Sequence, residues 1–140
     1  MEQTVVTSNL ASVIRRWPHQ VQCVRRARGE LSKALADWGL SGIEEPALVV
    51  LSELLTNAVV HARVPWDREI ETRFVPYPDG VRIQVDDADE QKPVPCEQAE
   101  EGGRGLHVVE SLADSWGVSD RNGVGKSVWA LLTQSREGWA

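Results

Sequence analysis

Two cysteines in 140 residues, Cys23 and Cys96, are too few and too far apart for a disulfide framework, and no metal-ligand spacing surrounds either. His19 and Cys23 lie four apart on an expected helix, but a pair without further ligands reads as packing and surface rather than a metal site. No apolar run approaches the roughly 18 residues of a membrane span, and the N-terminus lacks a charged, apolar, small-residue leader, so no membrane partner and a cytoplasmic location are expected. Basic runs are missing too. The balance of 15 Lys and Arg against 21 Asp and Glu gives a formal charge of −6, which argues against nucleic acid as the main partner. Repeats and low-complexity tracts are absent. What remains, 41% hydrophobic and 26% charged, is one ordinary globular domain over residues 1–140 with a core of about 13–133.

The breakers divide this chain into elements. Val13 to Trp17, ended by Pro18, reads as a short strand. Gln20 to Trp38 carries Val21, Val24, Ala27, Leu31 and Leu35 at helical spacing before Gly39 stops it. Glu44, Glu45 and Pro46 open a second helix, since acids and a first-turn proline suit a helix N-terminus, and it runs to near Arg63 ahead of Pro65. Glu69 to Val75 and Val81 to Asp87 alternate polar with apolar and flank Pro76–Gly80, which predicts an antiparallel hairpin. Residues 88–104 are polar, with Pro93, Pro95, Glu97, Glu100 and Glu101 and no apolar period. A structureless stretch of that length in a compact domain is usually functional, and a lid is expected. A third helix from Gly105 to Ala113 and a hairpin of Trp116–Ser119 with Ser127–Thr133 around Asn122-Gly123 complete the chain. The fold class expected is α+β, a two-layer sandwich of a mostly antiparallel sheet with three helices on one face.

The second helix holds the strongest functional signal. Each helical residue turns the side chain by about 100°, so Leu48, Leu51, Leu55, Ala58 and Ala62 share one apolar stripe. Glu45, Ser52, Thr56 and Arg63 share a polar stripe facing solvent. Glu53, Asn57 and His61 belong to neither. They fall in a third sector, roughly 120° beyond the polar stripe, among Val50, Leu54 and Val60. An unpaired buried polar group costs about 1 to 3 kcal/mol, so these three either satisfy one another and nearby backbone or hold a polar ligand or metal.

Three further motifs bear on the choice. Gly102-Gly103-Arg104-Gly105-Leu106, between the lid and the third helix, lets backbone N–H groups approach an anion at a helix N-terminus, with Arg104 available to phosphate oxygens; the competing account is a hinge and cap without ligand. Asp87 ends a strand in which Val81, Ile83 and Val85 point to the core, so Asp87 points there too, while Asp86 alternates away and Asp89 lies past the end of that run. It can accept from an exocyclic amine, or simply cap a turn. Gly125-Lys126-Ser127-Val128-Trp129 offers the Ser127 hydroxyl to the same pocket, although a polar strand start is the commoner explanation.

In order, Glu53-x-x-x-Asn57-x-x-x-His61-Ala62, Asp87, Gly103-Arg104-Gly105-Leu106 and Gly125-Lys126-Ser127-Val128-Trp129 resemble the histidine-kinase-like ATPase superfamily. Within it the chain is similar to the small single-domain anti-sigma-factor serine/threonine kinases and their actinobacterial relatives. The resemblance spans Trp17 to Leu132 and includes the Trp38-Gly39-Leu40 turn. It implies a Bergerat-type ATP-binding fold, with Mg²⁺ on Asn57 and Glu53 as general base toward an attacking hydroxyl. It further implies adenine on Asp87 with support from Ser127, nucleotide contacts at His61 and Leu106, and phosphates under Gly103, Arg104 and Gly105. Its implied partners are a sigma factor and a small antagonist protein that receives the ATP γ-phosphate, and relatives commonly form homodimers near the N-terminus, where Trp17 and Trp38 are candidates for exposed contacts, although Trp in a small domain is more often core. One departure stands out. The superfamily follows its adenine-binding aspartate with glycines, whereas this chain reads Asp87-Ala88-Asp89-Glu90, bringing negative charge near a polyanion. The alternative function is accordingly a non-catalytic, protein-binding regulator that keeps the fold with weak or no ATP binding.

Overall fold

A computed structural model describes residues 12–61, 69–87, 101–120 and 125–134. Strand β1 (Val13–Trp17) leads into helix α1 (Gln22–Asp37), then a 3₁₀ turn (Ser41–Ile43), helix α2 (Glu44–Thr56) and a π-helical turn (Asn57–His61). Strands β2 (Ile70–Tyr77) and β3 (Gly80–Asp87), helix α3 (Glu101–Leu112), and strands β4 (Ser115–Asp120) and β5 (Lys126–Thr133) follow. The five strands form one sheet in the order β1-β2-β3-β5-β4, and every pairing is antiparallel. This is the α+β sandwich expected from the sequence.

Strand alternation decides which face the helices cover. Ile70, Thr72 and Phe74 of β2, Val81, Ile83 and Val85 of β3, and Val128, Ala130 and Leu132 of β5 are buried on the inner face. Ala27, Leu31 and Leu35 of α1 and Val50, Leu51, Leu54 and Leu55 of α2 join them in one core, with Val109 of α3. Each large aliphatic or aromatic side chain sealed there contributes about 1.5 to 3 kcal/mol. Of the two readings the sequence allowed for Trp17, exposed contact or core, the structure has core, at 5% exposed. Its indole Nε1 donates to the Thr72 hydroxyl at 2.9 Å, which also satisfies the one polar group that the inner face of β2 buries. Trp38 packs half-buried against the core.

Several boundaries differ from expectation for identifiable reasons. Val21 precedes α1 and is 65% exposed, so the apolar stripe starts at Cys23 instead. The helix closes at Gly39, whose φ of 73° allows Gly39 N–H to reach the Ala36 carbonyl and Leu40 N–H the Leu35 carbonyl, the paired bonds of a Schellman end. The first hairpin continues through Pro76 to the Tyr77–Gly80 pair, leaving a two-residue turn. Pro76 is tolerated because β1 pairs with β2 only as far as Phe74 and one side of the ladder is already open. Gly80 is required, since a Cβ there would stand 2.2 Å from the Leu132 carbonyl oxygen. The Asn122-Gly123 turn and residues 88–100 of the expected lid lie outside the described residues.

Candidate functional site

Helix α2 keeps regular α-winding to Thr56, where the ladder changes. Asn57 N–H donates to the carbonyls of both Glu53 and Leu54, and residues Asn57–His61 then adopt π-winding. Glu53 and Asn57 are therefore stacked one turn apart, both half-buried, beside the fully buried Val50 and Leu54. The third sector read from the sequence holds to this point. Beyond it, a π turn advances by less than an α turn per residue, so the angular position assigned to His61 no longer follows. The backbone of His61 closes the π segment, and its side chain lies outside the described residues, as does Ala62. Single π turns inside helices recur at functional sites, and this one begins on the residue expected to meet the metal.

A second departure concerns the polar stripe. Glu45 is exposed, but Ser52 is bound into the α1–α2 interface, accepting from Arg28 Nη1 at 2.6 Å while donating to the Leu48 carbonyl at 2.8 Å. His19 makes a similar tie from the β1–α1 connection. Its Nε2 donates to the Ala58 carbonyl at 2.7 Å; a carbonyl only accepts, so this nitrogen carries the proton. His19 thus anchors the π segment. Cys23 is buried in the core, where desolvation pushes its thiol up against the smaller opposing effects of the Gln20 backbone and Arg26.

At the far end of the sheet, two adjacent carboxylates point to opposite faces. Asp87 pairs in register with Lys126, and Asp86 with Ser127. Asp87, 2% exposed, follows Val81, Ile83 and Val85 onto the inner face as expected, and Lys126 Nζ meets its Oδ1 at 3.1 Å with 7% exposure. Ser127 lies on the outer face. Its hydroxyl donates to the Asp86 carboxylate, which also accepts from Gln84 Nε2 at 3.1 Å. Ser127 is therefore not brought together with Asp87; Lys126 occupies that place. The sequence reading passed over Lys126, although Val128, Ala130 and Leu132 mark the inward register of β5 and put residue 126 on it. Strand β3 contacts the π segment, as does α3.

Helix α3 begins at Glu101, four residues ahead of the expected Gly105. Gly103, Arg104 and Gly105 consequently sit in its first turns instead of in a preceding loop. The surroundings of the Arg104 side chain lie outside the described residues. Leu106 is 1% exposed, so its side chain is packing. Among the described residues no group of three or more His, Cys, Asp or Glu side chains is placed to hold a metal, and no helix is long and apolar enough to cross a membrane.

An antiparallel sheet covered on one face by three helices, with a polar strip on the second helix and a buried carboxylate at a strand end, defines a Bergerat-type α+β sandwich. Residues 17–132 match the histidine kinase-like ATPase domain, and the chain belongs to that family. No protein of curated function matches it. Among solved structures, the RsbU and RsbW domains of Rv1364c from Mycobacterium tuberculosis superpose with a TM-score of 0.65 at 17% identity. That match covers 87% of this chain and 32% of the other, so this chain spans about a third of its length.

Proposed function

We propose that this chain is an ATP-binding regulator of the anti-sigma-factor kinase type, which transfers the γ-phosphate of ATP to a serine or threonine of a small antagonist protein in the cytoplasm. The observation that carries the proposal is the stacking of Glu53 and Asn57 one turn apart at the start of a π segment, on the same side of the sheet as the buried Asp87. Asp87 would read the base, and Gly103, Arg104 and Gly105 at the positive end of α3 would face the phosphates. An amide oxygen from Asn57 fits Mg²⁺, a hard cation that takes few protein ligands and completes its shell with phosphate oxygens and water. Bound there, Mg²⁺ would supply neutralisation of the charge that develops on the phosphates.

Glu53 would accept the proton of the attacking hydroxyl as the hydroxyl oxygen bonds to the γ-phosphorus, the bond from that phosphorus to the β–γ bridging oxygen breaks, and ADP leaves with the bond's electron pair. Such transfer needs positioning and charge neutralisation more than covalent help. A second reading, a protein-binding regulator without catalysis, draws on Asp87-Ala88-Asp89-Glu90 and on the ion pair that already engages Asp87. Calorimetric titration with ATP and ADP, with and without Mg²⁺, separates the two. Micromolar, Mg²⁺-dependent binding that is lost in Asn57→Ala is expected; no heat at millimolar nucleotide would favour the non-catalytic regulator.

A further inference from the structure

Helix α2 changes its winding at Asn57, and the carbonyl of the next residue is held from another element. Asn57 N–H is shared between the Glu53 and Leu54 carbonyls, and Asn57–His61 follow π-winding. A junction of this kind can move along a helix, because α and π ladders differ only in which carbonyl each N–H takes. Here the segment is also tied from outside. Ala58 is 2% exposed, so water has little access to its carbonyl, and a helix leaves the carbonyls of its last turn without partners of its own. His19 Nε2 donates to the Ala58 carbonyl at 2.7 Å, the short end of the range for an N–H···O bond.

The donor sits on a turn that is held on both sides. Trp17, two residues before it, is buried with its indole bonded to Thr72 of β2. After it, Gln20 N–H closes on the Pro18 carbonyl at 2.7 Å, and Cys23 N–H on the Gln20 carbonyl at 3.1 Å as α1 begins. The imidazole thus links the sheet and α1 to the residue that follows Asn57, across 39 positions of chain.

We infer that His19 is a positioning residue for Mg²⁺: by holding the Ala58 carbonyl it keeps the winding junction on Asn57 and fixes the backbone that aims the Asn57 amide at the metal. This inference rests on the nucleotide-binding reading above, which gives Mg²⁺ to Asn57. Mg²⁺ demands near-ideal octahedral geometry, so a displaced amide oxygen weakens the hold on the metal more than the hold on the base, which that reading assigns to Asp87 on a different element.

The test is calorimetric titration of ATP into the full chain, His19→Ala and His19→Gln, each without metal and across a series of Mg²⁺ concentrations, with backbone NMR shifts of Asn57–His61 recorded on the nucleotide-free proteins. His19→Ala is expected to cut the gain in ATP affinity that Mg²⁺ brings by about five-fold or more, while metal-free ATP affinity stays within about two-fold of native. Its shift changes should centre on the π segment. His19→Gln, which keeps an N–H donor, is expected to recover most of the Mg²⁺ gain. Should His19→Ala fail to fold, His19→Met, which keeps the bulk and drops the donor, is judged by the same criteria. An unchanged Mg²⁺ gain in the donorless variant would overturn the inference and leave the nucleotide reading standing. Equal losses with and without metal would also overturn it, making His19 a support of the fold alone. Failure of the native chain to bind ATP under either condition would overturn both.

Discussion

Asp86 and Asp87 are neighbours in sequence and opposites in the fold. Asp87 turns inward to a lysine with almost no exposure, while Asp86 turns outward to a serine and a glutamine at the sheet surface. Identical side chains one residue apart are thus given different tasks by the two-residue period of a strand, and their partners at 126 and 127 alternate in step. The inner pair is held within the core and cannot be solvated if it is broken. Asp86, 8% exposed, is also buried, and its partners Gln84 and Ser127 are half-buried on the outer face. On the proposed reading, inner positions at this end of the sheet would face the ligand, and outer positions bond within the sheet.

Removing one partner from each face tests that contrast most severely. Asp87→Ala removes a charge partner of Lys126 from the core and should cost about 3 to 5 kcal/mol, whereas Ser127→Ala removes one hydrogen bond on the outer face and should cost about 1 kcal/mol or less. Urea denaturation of both variants checks the difference; equal losses would erase the distinction between the faces. Asp87→Asn is for the same reason the better probe of base recognition, because loss of binding in Asp87→Ala is confounded with loss of fold.

A smaller effect is expected at His19. Its bond to the Ala58 carbonyl holds the π segment against the β1–α1 connection, so His19→Ala should lower stability by about 1 kcal/mol and weaken Mg²⁺-dependent ATP binding through Asn57. His19→Gln, which keeps a donor, should recover part of both. Unaltered ATP affinity in His19→Ala would show that the π segment needs no support from this side.

What the sequence made legible follows from which interactions are local. Val13–Trp17 is the strand expected, with the same bounds, because Pro18 stops it. The hairpin fell within two residues of its observed ends, the error coming from a proline that an open ladder tolerates. Face assignment by alternation placed Asp87 correctly, and applied to β5 it would have found Lys126. The ion pair itself depends on the register between strands 39 residues apart, and the His19 contact spans the same separation; neither leaves a local trace. The change from α to π winding at Asn57 also has no sequence period of its own, so Glu53 and Asn57 were placed by their spacing while His61 was carried on past the point where that spacing applies.

The central claim is that the inner face, with Glu53, Asn57, Asp87 and Lys126, receives the nucleotide, while the outer face does not. Backbone and indole NMR shifts of isotopically labelled protein titrated with Mg²⁺ and ATP measure this directly. Perturbations should concentrate on Asn57–His61, Asp87, Lys126 and the first turns of α3, leaving Gln84, Ser127 and the Trp129 indole unmoved. Shifts centred on the outer-face residues, or none at saturating nucleotide, would contradict the account.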